Sequence, residues 1–537
     1  LKTSLKNKTK NELWLSILLL LPVIAFYISH YNAPEGLYGT GFVHGDMMSY
    51  MANARQHFDD GSFHFFYSNP FSIDNSSPHI YFQFQTLLLG SIWYFSNLDI
   101  GMIFIGFGLV SAFLTILISL KLFKSYIGWN NWSEKLSFIL FIYGGGVLII
   151  SGFIYSYANG LGFRNAALDS LIFDPGGGFW MLNFGRNFIF STESYYHLLT
   201  IGITYSVFKN KQAISSLLIF ILAFSHPFYG IQFLILIISW QILDKFVFKN
   251  KQISTKYLII NTISLLLFIV YYKMFMPHFA SYQSIVEKWT LNWNLKFITE
   301  IFAYLPIFLF FVYQIRKKSL LVDFFKNPFH RFLLLYFVGS FLLANHEMFM
   351  NPIQPIHFTH GNIYIPLFLL ASKGLVSFFK NNKSIISVGM SVLVFGILIF
   401  DNLSWFPAQY YINVSRRCSD AIRIIPTQKR IINYINENYN CNYLLLSEFA
   451  TIDYFATSYT SVHSLVPHPF NTPFYDTKES LWNQFYKEKD FSILPNHKLL
   501  IIDNLLVNGI LPELQNDTNF KLVYKNKDYL LYERINN

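Results

Sequence analysis

Residues 100–122 read IGMIFIGFGLVSAFLTILISLKL, an apolar run with no acid and with one lysine, Lys121, close to its end. At about 1.5 Å per residue a helix of this length reaches roughly 34 Å, enough to cross a hydrocarbon layer of about 30 Å. Similar runs occupy 12–31, 136–155, 193–208, 212–226, 227–244, 257–276, 298–314, 332–346, 361–379 and 384–401. The chain therefore reads as an α-helical polytopic membrane protein with about 11–13 crossing helices. The first run follows Lys2, Lys6, Lys8 and Lys10, as in a signal peptide, but no small-residue cleavage site follows it. With so many later spans it reads as a retained first helix.

Composition agrees. Over the 537 residues, 53% are hydrophobic, 19% aromatic and only 13% charged, against about 25% charged in an ordinary soluble domain. The net charge of +10 sits mainly in short segments between alternate spans: Lys121, Lys124 and Lys135, then Lys209 and Lys211, Lys245 to Lys256, Arg316 to Arg331, and Lys380 with Lys383. The opposite segments carry few basic residues, chiefly Arg55, Arg164, Arg186, Lys288 and Lys296. Such asymmetry is explained by topology and gives no reason to invoke nucleic acid. It predicts a plasma (inner) membrane protein with a cytoplasmic N-terminus and an extracytoplasmic C-terminal domain.

The run Ile80 to Ser96 would invert every later loop if it crossed, so it is expected to lie at the interface or re-enter. Three segments on the outer side, 32–99, 156–192 and 345–360, are unusually long or polar, and long ordered loops are commonly functional. After position 401 the pattern changes to a soluble α/β domain over 402–537. Its expected elements are a helix after Pro426, the strand NYLLLS, a helix around TKESLWNQFYKE, the strand KLLIID, and a closing pair FKLVY and YLLYERI turned at Lys525–Asp528. Cys418 and Cys441, the only cysteines, both fall in this part; a disulfide is chemically possible outside the cytoplasm, and two separate thiols are the simpler reading.

The first outer loop carries GFVHGDMMSYMANARQHFDDG. From Asp46 on, Met47, Met51, Ala54 and Phe58 recur at helical spacing while Asp46, Tyr50 and Asn53 share another face, the pattern of an amphipathic surface helix. Asp46 opens that helix, and its simplest role is an N-cap. An acid directly after the first span, opening a juxtamembrane helix, with many spans and then an outer soluble domain, resembles the GT-C superfamily of membrane glycosyltransferases. That group includes the oligosaccharyltransferase catalytic subunit, protein mannosyltransferases and lipid A aminoarabinose transferases. The outline covers the whole chain, the motif about twenty residues.

The resemblance implies transfer of a sugar from a polyprenyl-phosphate donor to a glycan, lipid or protein acceptor outside the cytoplasm, within reach of membrane lipids. Asp46 then becomes the general base for the acceptor hydroxyl, or a ligand of a divalent metal ion. The chain departs from better-defined members in lacking an Asp-x-Asp or Asp-x-Glu pair in 156–192 and a Trp-Trp-Asp triplet, which weakens metal dependence. Glu347 is the second candidate catalytic carboxylate. Tyr50, Arg186, Glu193, His197, His226, His346, His357 and His360 are candidate substrate-binding residues.

Each has a plainer reading. Arg186 either grips a lipid phosphate or snorkels to headgroups. Glu193 and His197, four apart, share one helix face. His226-Pro227 marks a tight helical turn, with His226 as turn or site residue. His346, Glu347, His357 and His360 crowd a shaped loop, without the spacing of a helix-borne zinc motif. Gly176-Gly177-Gly178 lacks the Lys-Ser or Lys-Thr of a nucleotide loop. In the tail, SLVPHPFNTPFYD, with His463, His468, Asn471 and Asp476, is either a lip that contacts the acceptor or a plain surface loop. The competing functions are an O-antigen polymerase or ligase and a transporter or lipid flippase; the size of the soluble domain argues against the first, and the absence of duplicated halves against the second.

Overall fold

The computed structural model describes residues 2–32, 36–72, 78–170, 184–289, 297–316, 318–380, 384–414, 423–447, 450–488, 490–495, 498–504, 514 and 517–535. Two compact units make up the chain: a helical unit of Leu1–Phe26, Phe107–Val270 and Thr290–Tyr411, and a second unit of Tyr27–Gly106, Tyr271–Trp289 and Ile412–Asn537. The compact units do not follow the division at 401/402: the first loop and the tail domain belong together.

Every expected span is helical, but their lengths differ. Among the described residues six helices are long and apolar enough to cross a membrane: Lys10–Tyr31, Ile100–Tyr126, Pro227–Val247, Thr255–His278, Phe297–Ile315 and Ile385–Tyr410. The stretch 136–155 is not one straight helix but a pair that is long and apolar enough together, Trp132–Tyr143 and Leu148–Ala158, bent by 58°. The break has a steric cause, since a Cβ on Gly144 would lie 2.2 Å from the Leu140 carbonyl oxygen and one on Gly146 2.2 Å from that of Phe302. Gln212–Ala223 and Pro328–Ala344 are apolar but shorter, and Ser191–Phe208 buries a row of polar side chains from Thr192 to Thr204. These internal helices account for the expected 11–13 crossings exceeding the long apolar helices.

Ile80 to Ser96 contains a helix, Phe84–Ser96, of 13 residues. It is about 20 Å long, too short to cross. Gly90 lets it press on the first-loop helix Met47–Arg55, where an added Cβ would meet the Ala54 carbonyl oxygen at 2.2 Å.

The tail domain forms a five-stranded sheet in the order His463–Ser464, Tyr443–Ser447, Lys498–Asn504, Tyr529–Arg534, Phe520–Lys525. The first three strands are parallel and the last two antiparallel to their neighbours. Alternation along the strands sends Leu445, Leu500 and Ile502 against helices Pro426–Asn438 and Ala450–Tyr459. Leu444, Leu446 and Ile501 face the other way, against Tyr475–Glu488. The sequence reading omits helix Ala450–Tyr459 and strand His463–Ser464, as well as the short elements Arg423–Ile424 and Phe491–Ile493. Cys441 is a free thiol; Cys418 and Gly176–Gly178 lie outside the described residues.

The first loop is bonded to this domain at several points. Tyr38–Gly39 pairs antiparallel with Arg423–Ile424. The Ser49 amide donates to the Tyr454 hydroxyl at 2.9 Å, and Arg55 Nη1 donates to the Ser458 carbonyl at 3.2 Å. Arg55 also pairs with Asp59 at 3.0 Å, both side chains nearly fully buried. Burial pushes the Asp59 carboxyl up and the Arg55 charge opposes it. Removing one partner of a buried pair strands the other, so Arg55→Ala is expected to cost about 3–5 kcal/mol. The check is the thermal unfolding midpoint in detergent; an unchanged midpoint would show that the pair does not hold the loop.

Candidate functional site

Asp46 immediately precedes helix Met47–Arg55, in αR geometry (φ −69°, ψ −17°), and its side chain makes no capping hydrogen bond. The carboxylate instead meets His468 of the tail domain, Nε2 to Oδ1 at 3.0 Å, while His44 Nδ1 stands 3.4 Å from Oδ2. His468 is buried, whereas the Asp46 side chain is 55% exposed. Asp46 thus occupies the cap position without acting as the cap. Tyr454, edge-on to His468 at 5.2 Å, has its phenol pushed well above the usual range by burial, with the Asp46 charge adding to the effect. Tyr50, half-buried, stacks on Phe104 at 6.4 Å.

In the helical unit a second polar centre forms around Glu193. His360 Nδ1 lies 2.8 Å from its Oε2, and the Tyr229 hydroxyl donates to the same oxygen at 2.8 Å. His226 caps helix Pro227–Ile242, its Nδ1 accepting from the Tyr229 amide at 3.3 Å, and its ring lies 5.4 Å from His357. His357 stacks on Phe228 at 4.9 Å and lies 5.5 Å from His360. One turn along from Glu193, His197 Nε2 is 2.9 Å from Asn187 Nδ2. Arg186 Nη1 donates to Asn187 Oδ1 at 2.9 Å, and its guanidinium lies over Phe190 at 4.1 Å. Arg186, Glu193, His197, His226, His357 and His360 therefore form one connected cluster, and Tyr229 is a member that the sequence reading missed.

The third segment is divided. His357 and His360 join the Glu193 cluster. His346 is used by its own loop, Nδ1 against the Leu343 carbonyl at 2.5 Å and Nε2 accepting from the Ile353 amide at 2.8 Å. Glu347 has a buried Oε2 with no hydrogen-bond partner among the described residues.

No protein-family model and no curated protein matches the chain. Among solved structures, the crystal structure of ArnT from Cupriavidus metallidurans bound to undecaprenyl phosphate aligns with a TM-score of 0.50 at 10% identity, over 97% of this chain and 98% of that one. The chain shares the fold of that structure. The archaeal oligosaccharyltransferase AglB from Archaeoglobus fulgidus, in complex with an inhibitory peptide and a dolichol-phosphate, gives 0.45 at 10% identity, over 93% of this chain and 70% of that one.

The described residues group no three His, Cys, Asp or Glu side chains so as to hold a metal ion. Around Asp46 stand one buried imidazole, His468, and one half-exposed imidazole, His44.

The arginine cluster is fixed by residues that hydropathy alone hides inside a span. Asp401, fully buried, accepts hydrogen bonds from the amides of Gly146, Leu148 and Ile149, each at 3.0 Å, capping the second half of the broken helix. Next to it, Asn402 accepts from the Arg186 amide at 2.9 Å and donates to the Gly144 carbonyl at 3.0 Å. The pair ties the glycine break to Arg186. The local signal was two polar residues, Asp401-Asn402, where the last apolar run ends. Asp401→Ala leaves three buried amides without their acceptor, at about 1–3 kcal/mol each, so its melting midpoint in detergent should fall well below that of Asp401→Asn. Equal midpoints would contradict the capping role.

Proposed function

We propose that the protein is a membrane glycosyltransferase that moves a sugar from a polyprenyl-phosphate donor to an acceptor hydroxyl on the outer side of the membrane. The observation that carries this reading is Asp46: an exposed carboxylate at the head of a first-loop helix, turned away from capping and held by a histidine. Support comes also from the fold, shared over nearly the full length with a structure that holds undecaprenyl phosphate. The N-terminus is assigned to the cytoplasm and the unit of first loop and tail domain to the outside, on the asymmetry of basic residues.

The chemistry is a single displacement. Asp46 takes the proton of the acceptor hydroxyl as its oxygen bonds to the anomeric carbon, and the bond from that carbon to the phosphate oxygen breaks. The polyprenyl phosphate departs with the electron pair, and configuration inverts because no covalent enzyme intermediate is needed. Arg186 is assigned to the phosphate, since a guanidinium binds phosphate by paired charge-assisted bonds. His197, His226, His357 and His360, oriented around Glu193, are assigned to the sugar and phosphate oxygens, and Tyr50 to the acceptor. His346 is assigned to shaping the loop that carries His357 and His360, through its bonds to Leu343 and Ile353, and Glu347 stays the second candidate carboxylate. A divalent ion at Asp46 is the alternative role for that residue; activity is expected to survive exhaustive chelation, and a loss restored by added magnesium or manganese would favour the ion.

The decisive variant is Asp46→Asn, which keeps shape and removes basicity. It should lower surface glycan formation by about 100-fold or more at normal protein level. Wild-type glycan levels in that variant would overturn the assignment and favour a transporter.

A further inference from the structure

The tail domain contributes more to Asp46 than a surface to rest on. His468 lies in the turn Val466–Thr472, whose closure is internal: the Thr472 amide donates to the His468 carbonyl at 3.0 Å, and the His468 amide to Thr472 Oγ1 at 3.2 Å. Its Nδ1 faces two backbone amides, those of Phe470 and Asn471, each at 3.2 Å. A nitrogen that receives two N–H groups presents its lone pair, so the ring proton resides on Nε2, which is the atom that meets Asp46 Oδ1 at 3.0 Å. The neutral ring is a donor to the carboxylate and offers it no competing base.

The ring has little freedom to turn. Phe71 lies nearly parallel to it at 6.3 Å and 16°, and Tyr454 and Phe470 meet it at steep angles, 5.2 and 6.2 Å away. The turn is bonded to the first loop, Asn69 Nδ2 donating to the Asn471 carbonyl at 3.0 Å, and from the following helix Tyr475–Glu488 Lys478 Nζ donates to the Phe71 carbonyl at 2.9 Å. Among the described residues His44, half exposed, also stands near the carboxylate, 3.4 Å from Oδ2 with its Nδ1 facing the Asp46 amide at 3.3 Å, and the buried Tyr454 hydroxyl accepts from the Ser49 amide at 2.9 Å.

We propose that His468 is a positioning residue for Asp46: its Nε2–H holds one carboxylate oxygen in a set orientation, so that the tail domain completes the general base. This rests on the reading of Asp46 as the base. The residue acts through Asp46 and need not touch substrate. A glutamine at this position places an amide donor near the site of Nε2; an alanine removes the donor.

Two measurements on the full-length protein test this. In nitrogen-15 histidine spectra of detergent-solubilised protein, with the His468 signals assigned by their loss in His468→Gln, the neutral ring should be the Nε2-protonated tautomer. Asp46→Asn should shift the Nε2 signal of His468 more than that of other histidines. A ring protonated on Nδ1 alone, or an Nε2 signal unmoved by Asp46→Asn, overturns the hydrogen bond.

In cells lacking their own copy, the rate of new surface glycan after induction should fall about 100-fold in His468→Ala. It should recover most of that loss in His468→Gln, each rate taken per folded protein, since the alanine also loses the buried ring and the Nδ1 acceptor and its midpoint should fall. Wild-type rate in His468→Ala, with Asp46→Asn inactive, sinks the positioning role and leaves the base intact. Wild-type rate in Asp46→Asn sinks the base itself, while the spectra still decide whether the bond exists. If His468→Ala fails to accumulate, the glutamine variant decides: recovery supports the donor role, and an alanine-like rate in a protein of normal midpoint refutes it.

Discussion

A short helix after the first apolar span, Met47–Arg55, is fastened to the tail domain by bonds that reach across more than 400 residues of chain. Ser49 meets Tyr454, Arg55 meets Ser458, and Asp46 meets His468, on successive parts of the helix. A loop of this length would otherwise have little to order it. Once it is seated, the backbone of Asp46 is fixed by the helix and its carboxylate by the histidine, and a surface acid becomes an oriented one. Burial of Arg55 against Asp59 holds the far end.

The helical unit solves a related problem with different means. A membrane interior tolerates irregular backbone only where its amides and carbonyls are satisfied by protein. The glycine break at 144–146 exposes such groups, and Asp401 and Asn402 satisfy them from a neighbouring helix. The same asparagine takes the Arg186 amide. Thus the irregularity, the polar pair within the last long helix and the arginine form one construction, and Glu193 stands one turn from His197 on the helix that follows. In each unit, the polar residues with the least evident structural purpose in the sequence are those with the most specific contacts.

What the sequence revealed follows from the range of the forces involved. Long apolar runs and strand alternation are local, so the membrane helices and most of the tail domain were legible, as was the shared face of Glu193 and His197. The break within 136–155 was not legible because hydropathy averages over glycines whose effect is steric. The helix Ala450–Tyr459 was missed because it is short and its apolar face becomes evident only against the sheet. The pairing of Asp46 with His468 had no local signal: each residue looked like an ordinary cap or loop residue until the turn of the second was laid on the first. Helix Phe84–Ser96 was limited by charge parity to an interfacial or re-entrant path, and its 13 residues agree with that limit.

All of the proposed chemistry requires the unit of first loop and tail domain to face the outside. Cys441 in the tail domain is a partly exposed thiol, pushed above its ordinary range by burial, so it is best labelled at about pH 8.5. With Cys418 replaced by serine, a membrane-impermeant maleimide added to intact cells is expected to label Cys441 as fully as it does after permeabilisation. Labelling that appears only once the membrane is opened would put Asp46 and His468 in the cytosol, away from any lipid-linked donor presented outside, and would contradict the proposed transfer.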